Sequence, residues 1–176
     1  FNLLMAHCHV GHDCRIGDHN VIANGALLSG HVEVGDRVFI SGNCLVHQFC
    51  RVGTYALMQG GAAISKDLPP ATIARGGNGL GGLNVVGLRR AGIPPEERLL
   101  LRRLYHAVFR SGRNLRTAAE EAAREVPAGL AREFVEFILA SRRGVVSRRG
   151  TFGLGLGAET KSPSREREGP EDAGAS

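Results

Sequence analysis

Of the seven histidines, six lie in the N-terminal part of the chain, and five of those, His7, His9, His12, His31 and His47, could share one face. An imidazole titrates near ~6.5, so at neutral pH it can take a proton from a hydroxyl as that hydroxyl attacks a thioester. His12, Gly30 and Gln48 stand eighteen residues apart, as do Asp13, His31 and Phe49, and His47 directly precedes Gln48. In a chain that returns to the same edge every eighteen residues, this spacing gathers a base, hydrogen-bond donors and an unobstructed backbone amide. Asp13 could orient the His12 ring, provided the chain turns between them, because neighbours in a strand point to opposite faces. Gly30 has no side chain to block its amide, which suits donation to the oxyanion of a tetrahedral intermediate. The inventory fits acyl transfer by direct attack, and no Gly-x-Ser-x-Gly elbow offers a covalent alternative. The competing reading of the same residues is a row of solvated or interface histidines.

The elements that must position these groups repeat every six residues. Leu4, Val10, Ile16, Ile22, Leu28, Val34, Ile40, Val46, Val52, Met58 and Ile64 form an unbroken apolar series. Four residues after each anchor the side chains are mainly small: Cys8, Cys14, Asn20, Ala26, Val32, Val38, Cys44, Cys50, Ala56 and Ala62. A helix repeats at 3.6 residues and a half-buried strand at 2, so a period of six predicts short strands joined by turns around a prism. The four cysteines share the small inward position and read as buried hydrophobes rather than disulfides, nucleophiles or zinc ligands.

The repeat is expected to end at Asp67-Leu68-Pro69-Pro70, since prolines remove ladder donors. A glycine-rich connector follows over 71–93, then a helical domain over 94–146. Its first helix should place Leu99, Leu100, Leu104, Ala107, Val108 and Ser111 on one side and stop at Gly112. A second covers roughly Thr117 to Val126, and a third runs from about Leu130 to Arg142 with Phe134, Phe137, Ile138 and Ser141 on one side. The polar, charged tail over 147–176 is expected to be disordered.

Glycine is abundant, 25 residues, and Trp is absent, so large aromatic side chains do not fill this interior. The net charge of +5 comes without a nucleic-acid motif, and much of the arginine lies in the C-terminal half, where solvated helix faces account for it. Nucleic-acid binding is therefore not expected. No apolar run approaches the ~20 residues of a membrane span, so no stable membrane insertion is expected and a cytoplasmic location is the default. The chain opens on Phe1 already inside the repeat, which leads us to expect further coils upstream.

The segments His9-Val10-Gly11-His12-Asp13-Cys14, Gly30-His31-Val32, Val46-His47-Gln48-Phe49-Cys50 and Gly87-Leu88-Arg89-Arg90 resemble, in order and spacing, the successive signatures of the UDP-N-acetylglucosamine O-acyltransferases. The resemblance runs to about Val146. It implies a β-solenoid plus α architecture: a left-handed parallel β-helix of hexapeptide repeats over 1–70, N-terminally truncated, followed by a small C-terminal helical domain. Handedness comes from the resemblance, since parallel crossovers are generally right-handed. The implied activity is transfer of an (R)-3-hydroxyacyl chain from acyl carrier protein to the 3-hydroxyl of UDP-N-acetylglucosamine, the first step of lipid A biosynthesis, by a homotrimer with no cofactor and no metal.

The resemblance also implies roles for particular residues. His12 matches the catalytic base, Asp13 its supporting carboxylate and Gly30 the oxyanion donor. His9, His31, His47 and Gln48 match substrate-contacting positions, Asn84 and Arg90 fall where the family holds the nucleotide, and Gly60 where it limits acyl-chain length. Arginine suits a diphosphate because its planar donors can bridge phosphate oxygens. Two departures are visible: Ala91 stands where a second arginine is expected, and the connector is one residue short. Three other readings share the repeat. They are a related UDP-glucosamine N-acyltransferase, a β-helix metal enzyme of the carbonic anhydrase type, and a noncatalytic trimeric scaffold.

Overall fold

The computed structural model describes residues 1–147; the tail beyond Ser147 lies outside the described residues. Eleven two-residue strands follow one another at six-residue steps, and each of the first eight pairs in parallel with the strand eighteen residues on, as in Leu3↔Val21, His9↔Leu27 and Arg15↔Glu33. They form a left-handed parallel β-helix of about four turns. Its first face carries Leu3–Leu4, Val21–Ile22, Phe39–Ile40 and Leu57–Met58. The second carries His9–Val10, Leu27–Leu28, Leu45–Val46 and Ala63–Ile64, and the third Arg15–Ile16, Glu33–Val34 and Arg51–Val52.

Alternation sends the second residue of each strand inward, so Ile22, Leu28, Ile40 and Met58 have no exposed surface. Each such side chain contributes about 1.5–3 kcal/mol of burial. The corners between strands are filled by Ala26, Val32, Cys44, Cys50, Ala56 and Ala62, all fully buried, because a tube this narrow leaves no room for longer side chains there. Every corner also holds one residue in the left-handed region, including His7, Asp13, His31, Arg37 and Phe49 with φ of 55–62°. That conformation is uncommon outside glycine and asparagine. It is enforced here by cross-coil hydrogen bonds at the same residues, such as His31 N–H to His12 O (2.9 Å) and Phe49 N–H to Gly30 O (3.2 Å).

The ladder does not stop at the prolines. Leu68 bridges to Val52, and Thr72–Arg75 rejoins the first face beside Leu57–Met58, two residues short of the regular spacing. Pro70 instead packs against Gly53, where a Cβ would lie 2.4 Å from the proline nitrogen. Within the segment read as a connector, Gly79–Leu83 folds back antiparallel on Thr72–Arg75, and helix α1 (Val85–Arg90) follows.

Helices α2 (Pro95–Phe109), α3 (Leu115–Ala123) and α4 (Leu130–Leu139) pack together beside the coils. The buried face of α2 is Leu101, Leu104, Tyr105 and Val108, whereas Leu99 is half exposed and Ala107 and Ser111 face solvent. The expected face is thus rotated. The run Leu99-Leu100-Leu101 fits more than one helical register, and packing against α3 and α4 selects the one that buries Tyr105. Helix α3 begins two residues earlier than expected because the Asn114 side chain caps the N–H groups of Arg116 and Thr117.

Ser141 lies beyond the end of α4 and meets Asp67, a carboxylate with only 2% exposure. Asp67 accepts hydrogen bonds from the Arg51 backbone N–H (2.9 Å), the Arg51 guanidinium (3.1 Å) and the Ser141 hydroxyl (2.8 Å). Arg51 also donates to Phe137 O (2.9 Å) and lies 4.2 Å from the Phe137 ring centroid. This node joins α4 to the third face, and removing its carboxylate would cost about 3–5 kcal/mol by stranding a paired cation.

Candidate active site

The edge between the second and third faces stacks three rows of residues from successive coils: Gly11, Ser29 and His47; His12, Gly30 and Gln48; Asp13, His31 and Phe49. The left-handed conformation of Asp13 (φ 59°) supplies the turn that strand geometry alone forbids, and it places the carboxylate on its neighbour. His12 Nδ1 lies 2.8 Å from Asp13 Oδ2, and His31 Nε2 lies 3.8 Å from the same oxygen. The His12 and His31 rings meet edge to face with centroids 5.0 Å apart, while His31 stacks on Phe49 at 4.6 Å with ring planes 6° apart.

The hydrogen bond with His12 and the charge of His31 hold Asp13 below the usual carboxylate range. An ionised carboxylate only accepts hydrogen bonds, so a neutral His12 keeps its proton on Nδ1 and presents a lone pair at Nε2. That nitrogen faces Gly30. A Cβ on residue 30 would lie 2.6 Å from Nε2 and 2.7 Å from Cε1, so only glycine admits the ring in this position. Both His12 and Asp13 are open to solvent, with side-chain exposures of 74% and 65%.

His47 and Gln48 extend the edge by one coil, and His9 stands exposed on the second face just before the corner. His47 Nδ1 lies 3.2 Å from Gln48 O and 3.4 Å from a guanidinium nitrogen of Arg143. The carbonyl requires Nδ1 to donate and the guanidinium requires it to accept, so the two contacts select opposite tautomers. Arg143, which also donates to Ser65 O (3.2 Å), is the residue that sequence reasoning missed. It follows α4, outside any hexad register, and no spacing points to it. Beside Asp13 and His31 opens a cleft of about 870 Å³ whose wall includes Arg15, Phe49, Arg142 and Arg143.

The structure does not bring Asn84, Arg90 or Gly60 to this edge of the same chain. Asn84 is buried, accepts from Gly87 N–H (3.0 Å) as the cap of α1, and donates to Tyr55 O (2.9 Å) on the edge between the third and first faces. Arg90 is exposed in the last turn of α1. Gly60 lies on the remaining edge, between the first and second faces, where a Cβ would touch only Gly42 O at 3.7 Å. The four cysteines are free thiols. Cys44 and Cys50 are buried, and burial pushes the Cys50 thiol up to about 11.

Residues 67–146 match the family described as UDP N-acetylglucosamine O-acyltransferase, domain 2, and residues 1–30 match the bacterial transferase hexapeptide family. The chain is 44% identical over 149 residues to the acyl-carrier-protein-dependent UDP-N-acetylglucosamine O-acyltransferase of Alkalilimnicola ehrlichii, covering 82% of this chain and 57% of that protein. Its counterpart in Janthinobacterium sp. is 40% identical over 151 residues, covering 82% and 58%. Among solved structures, the UDP-N-acetylglucosamine acyltransferase from Campylobacter jejuni superposes with a TM-score of 0.79 at 34% identity, covering 83% of this chain and 57% of that one. The enzyme from Bacteroides fragilis gives 0.77 at 38% identity, covering 83% and 58%. The chain therefore spans somewhat over half the length of these relatives. No helix among the described residues is long and apolar enough to cross a membrane.

Proposed function

The chain belongs to the UDP-N-acetylglucosamine O-acyltransferase family, and from that premise we propose that it carries the catalytic edge for moving an (R)-3-hydroxyacyl chain from acyl carrier protein to the 3-hydroxyl of UDP-N-acetylglucosamine, the first step of lipid A biosynthesis. The observation that supports this most directly is the His12 ring, fixed at Nδ1 by Asp13 and aimed through Nε2 at Gly30.

In this reaction the sugar hydroxyl attacks the thioester carbonyl while His12 Nε2 removes its proton. The Gly30 N–H donates to the resulting oxyanion, and Asp13 supports the imidazolium. Collapse of the intermediate forms the ester, breaks the C–S bond and returns the His12 proton to the departing thiolate. No group on the protein is acylated. His9, His31, His47 and Gln48 contact the substrates, and Gly60 leaves space that bears on acyl-chain length.

Arg90 holds the nucleotide diphosphate, with Asn84 fixing the helix that presents it. These two lie on a different edge from His12, so the site is complete only when a neighbouring copy supplies them. The outward side chains favour such an assembly. Leu3 and Phe39 on the first face and Leu27 and Leu45 on the second are each more than 40% exposed, whereas the third face shows Arg15, Glu33 and Arg51. Packing the first face of one copy on the second face of the next closes a homotrimer around the Gly60 edge and carries Arg90 toward His12 of the neighbour. A cytoplasmic location belongs to the same proposal.

The test is a chimera in which the upstream coils of the Alkalilimnicola relative precede residue 1, supplied with 3-hydroxyacyl carrier protein and UDP-N-acetylglucosamine. Mass spectrometry should detect the 3-O-acylated product. His12→Ala should lower turnover by roughly 10²–10⁴-fold, the usual worth of a positioned base. An inactive chimera, or one indifferent to His12, would count against the proposal.

A further inference from the structure

We propose that His12, Asp13 and His31 form an inhibitory binding site for a divalent transition-metal ion such as Zn²⁺. One ligand atom from each of the three residues lies within 4.8 Å of the others. His12 Nδ1 and His31 Nε2 stand 2.8 and 3.8 Å from the same carboxylate oxygen, Asp13 Oδ2. Ligands held at 2.0–2.1 Å around a tetrahedral ion are separated by roughly 3.3 Å, a distance that these two values bracket. Closing these two sides on an ion requires side-chain shifts of about half an ångström each, His12 moving away from the Asp13 oxygen and His31 toward it.

Two further features favour occupancy. Stacking on Phe49 sets the plane of the His31 ring, and the left-handed turn at Asp13 fixes the direction of its carboxylate, so little side-chain freedom remains to be lost. All three side chains are also open to solvent, which gives an ion free entry and leaves a fourth position for water. Two imidazoles and one carboxylate form a donor set suited to Zn²⁺, Cu²⁺, Ni²⁺ or Co²⁺ rather than Mg²⁺ or Ca²⁺.

The consequence follows from proton placement. With no metal, the ionised Asp13 carboxylate keeps the proton of a neutral His12 ring on Nδ1, 2.8 Å away, and leaves Nε2 unprotonated. A metal at Nδ1 displaces that proton and takes the lone pair it held, so the neutral ring carries its proton on Nε2 instead. The proton moves from one ring nitrogen to the other through solvent, with no net loss. The nitrogen facing Gly30 then has no lone pair to accept a proton. The same ion also draws Asp13 and His31 away from their other contacts.

Binding is read without any acyl donor, so the inference stands or falls separately from the acyl-transfer reading. The chain is titrated with Co²⁺ and followed by its ligand-field absorption, with Zn²⁺ then displacing the signal. One equivalent per chain is expected, with Asp13→Asn and His31→Ala each weakening binding at least about tenfold, as loss of supporting contacts alone commonly does. His7→Ala and His19→Ala, on other edges, should leave it unchanged, and circular dichroism confirms that each variant is folded. Equal affinity in His31→Ala, or binding that falls in proportion to any histidine removed, overturns the proposal. In the active chimera, micromolar Zn²⁺ should inhibit reversibly on chelation while Mg²⁺ does not; inhibition that survives in His31→Ala also overturns it.

Discussion

The edge that carries His12 and the edge that carries Asn84 are built on the same coils, yet they use their polar side chains differently. Along the first, His12, Asp13, His31 and Gln48 project into solvent, and their order comes from one another and from the corner geometry. Along the second, Asn84 is buried and engaged in capping α1 and tying it to Tyr55, while Arg89 and Arg90 of that helix reach outward. One edge holds reactive groups and the other presents a cation on a braced helix. The separation of the two within one chain is what makes a second copy a requirement of the proposed chemistry.

After loss of His12 itself, the largest effect on this contrast should come from Gly30→Ala. Its new methyl group would sit 2.6 Å from His12 Nε2 and push the ring off its position, so turnover of the chimera should fall on the order of 10²-fold, the expected penalty for ångström-scale misplacement. Gly60→Ala has only Gly42 O nearby, at 3.7 Å, and should leave folding and turnover with short donors intact. Steady-state kinetics of the pair separates a glycine required by a neighbouring ring from one that borders open space.

Arg90→Ala should raise KM for the nucleotide sugar by about tenfold, the low end for a lost charge-assisted hydrogen bond, with kcat less affected. Mixing the His12→Ala and Arg90→Ala chimeras under conditions that exchange subunits should then restore sites with both residues intact. Activity that never exceeds the average of the two parents would mean that the edges do not cooperate across copies.

A smaller effect concerns Asp13. Its pKa is lowered first by the His12 hydrogen bond and then by the charge of His31. A carboxylate depressed in the folded state makes its full contribution above the ordinary carboxylate range and loses it only as pH falls through the lowered value. Carbon-13 NMR of the Asp13 carboxyl should therefore show ionisation persisting into acid, and His12→Ala should move the transition back up toward the ordinary range. An unchanged midpoint would remove His12 as the main cause.

Legibility followed the repeat. Each corner obeys a six-residue register, and once the family resemblance supplies three hexads per coil, the stacking of His12 with Gly30 and of Asp13 with His31 follows from residue numbers. The buried cysteines follow from the same register, since Cys44 and Cys50 occupy interior corners. The left-handed backbone at Asp13 was less visible, because that conformation is imposed by hydrogen bonds between coils rather than by the preference of aspartate. Beyond Pro70 the register lapses. The hairpin at Gly79–Leu83 read as a glycine-rich connector because its glycines hide the strand pattern, and the leucine run in α2 admitted two faces. Arg143 was illegible for a different reason: it reaches His47 only after three helices have folded back on the coils.

The most direct measurement of the central claim is the tautomer of His12, read from the nitrogen-15 shifts of its ring at a pH where the imidazole is neutral and metal ions are chelated. The account predicts a proton on Nδ1, shared with Asp13, and an unprotonated Nε2. A neutral ring that carries its proton on Nε2 would leave no base facing Gly30 and would contradict it.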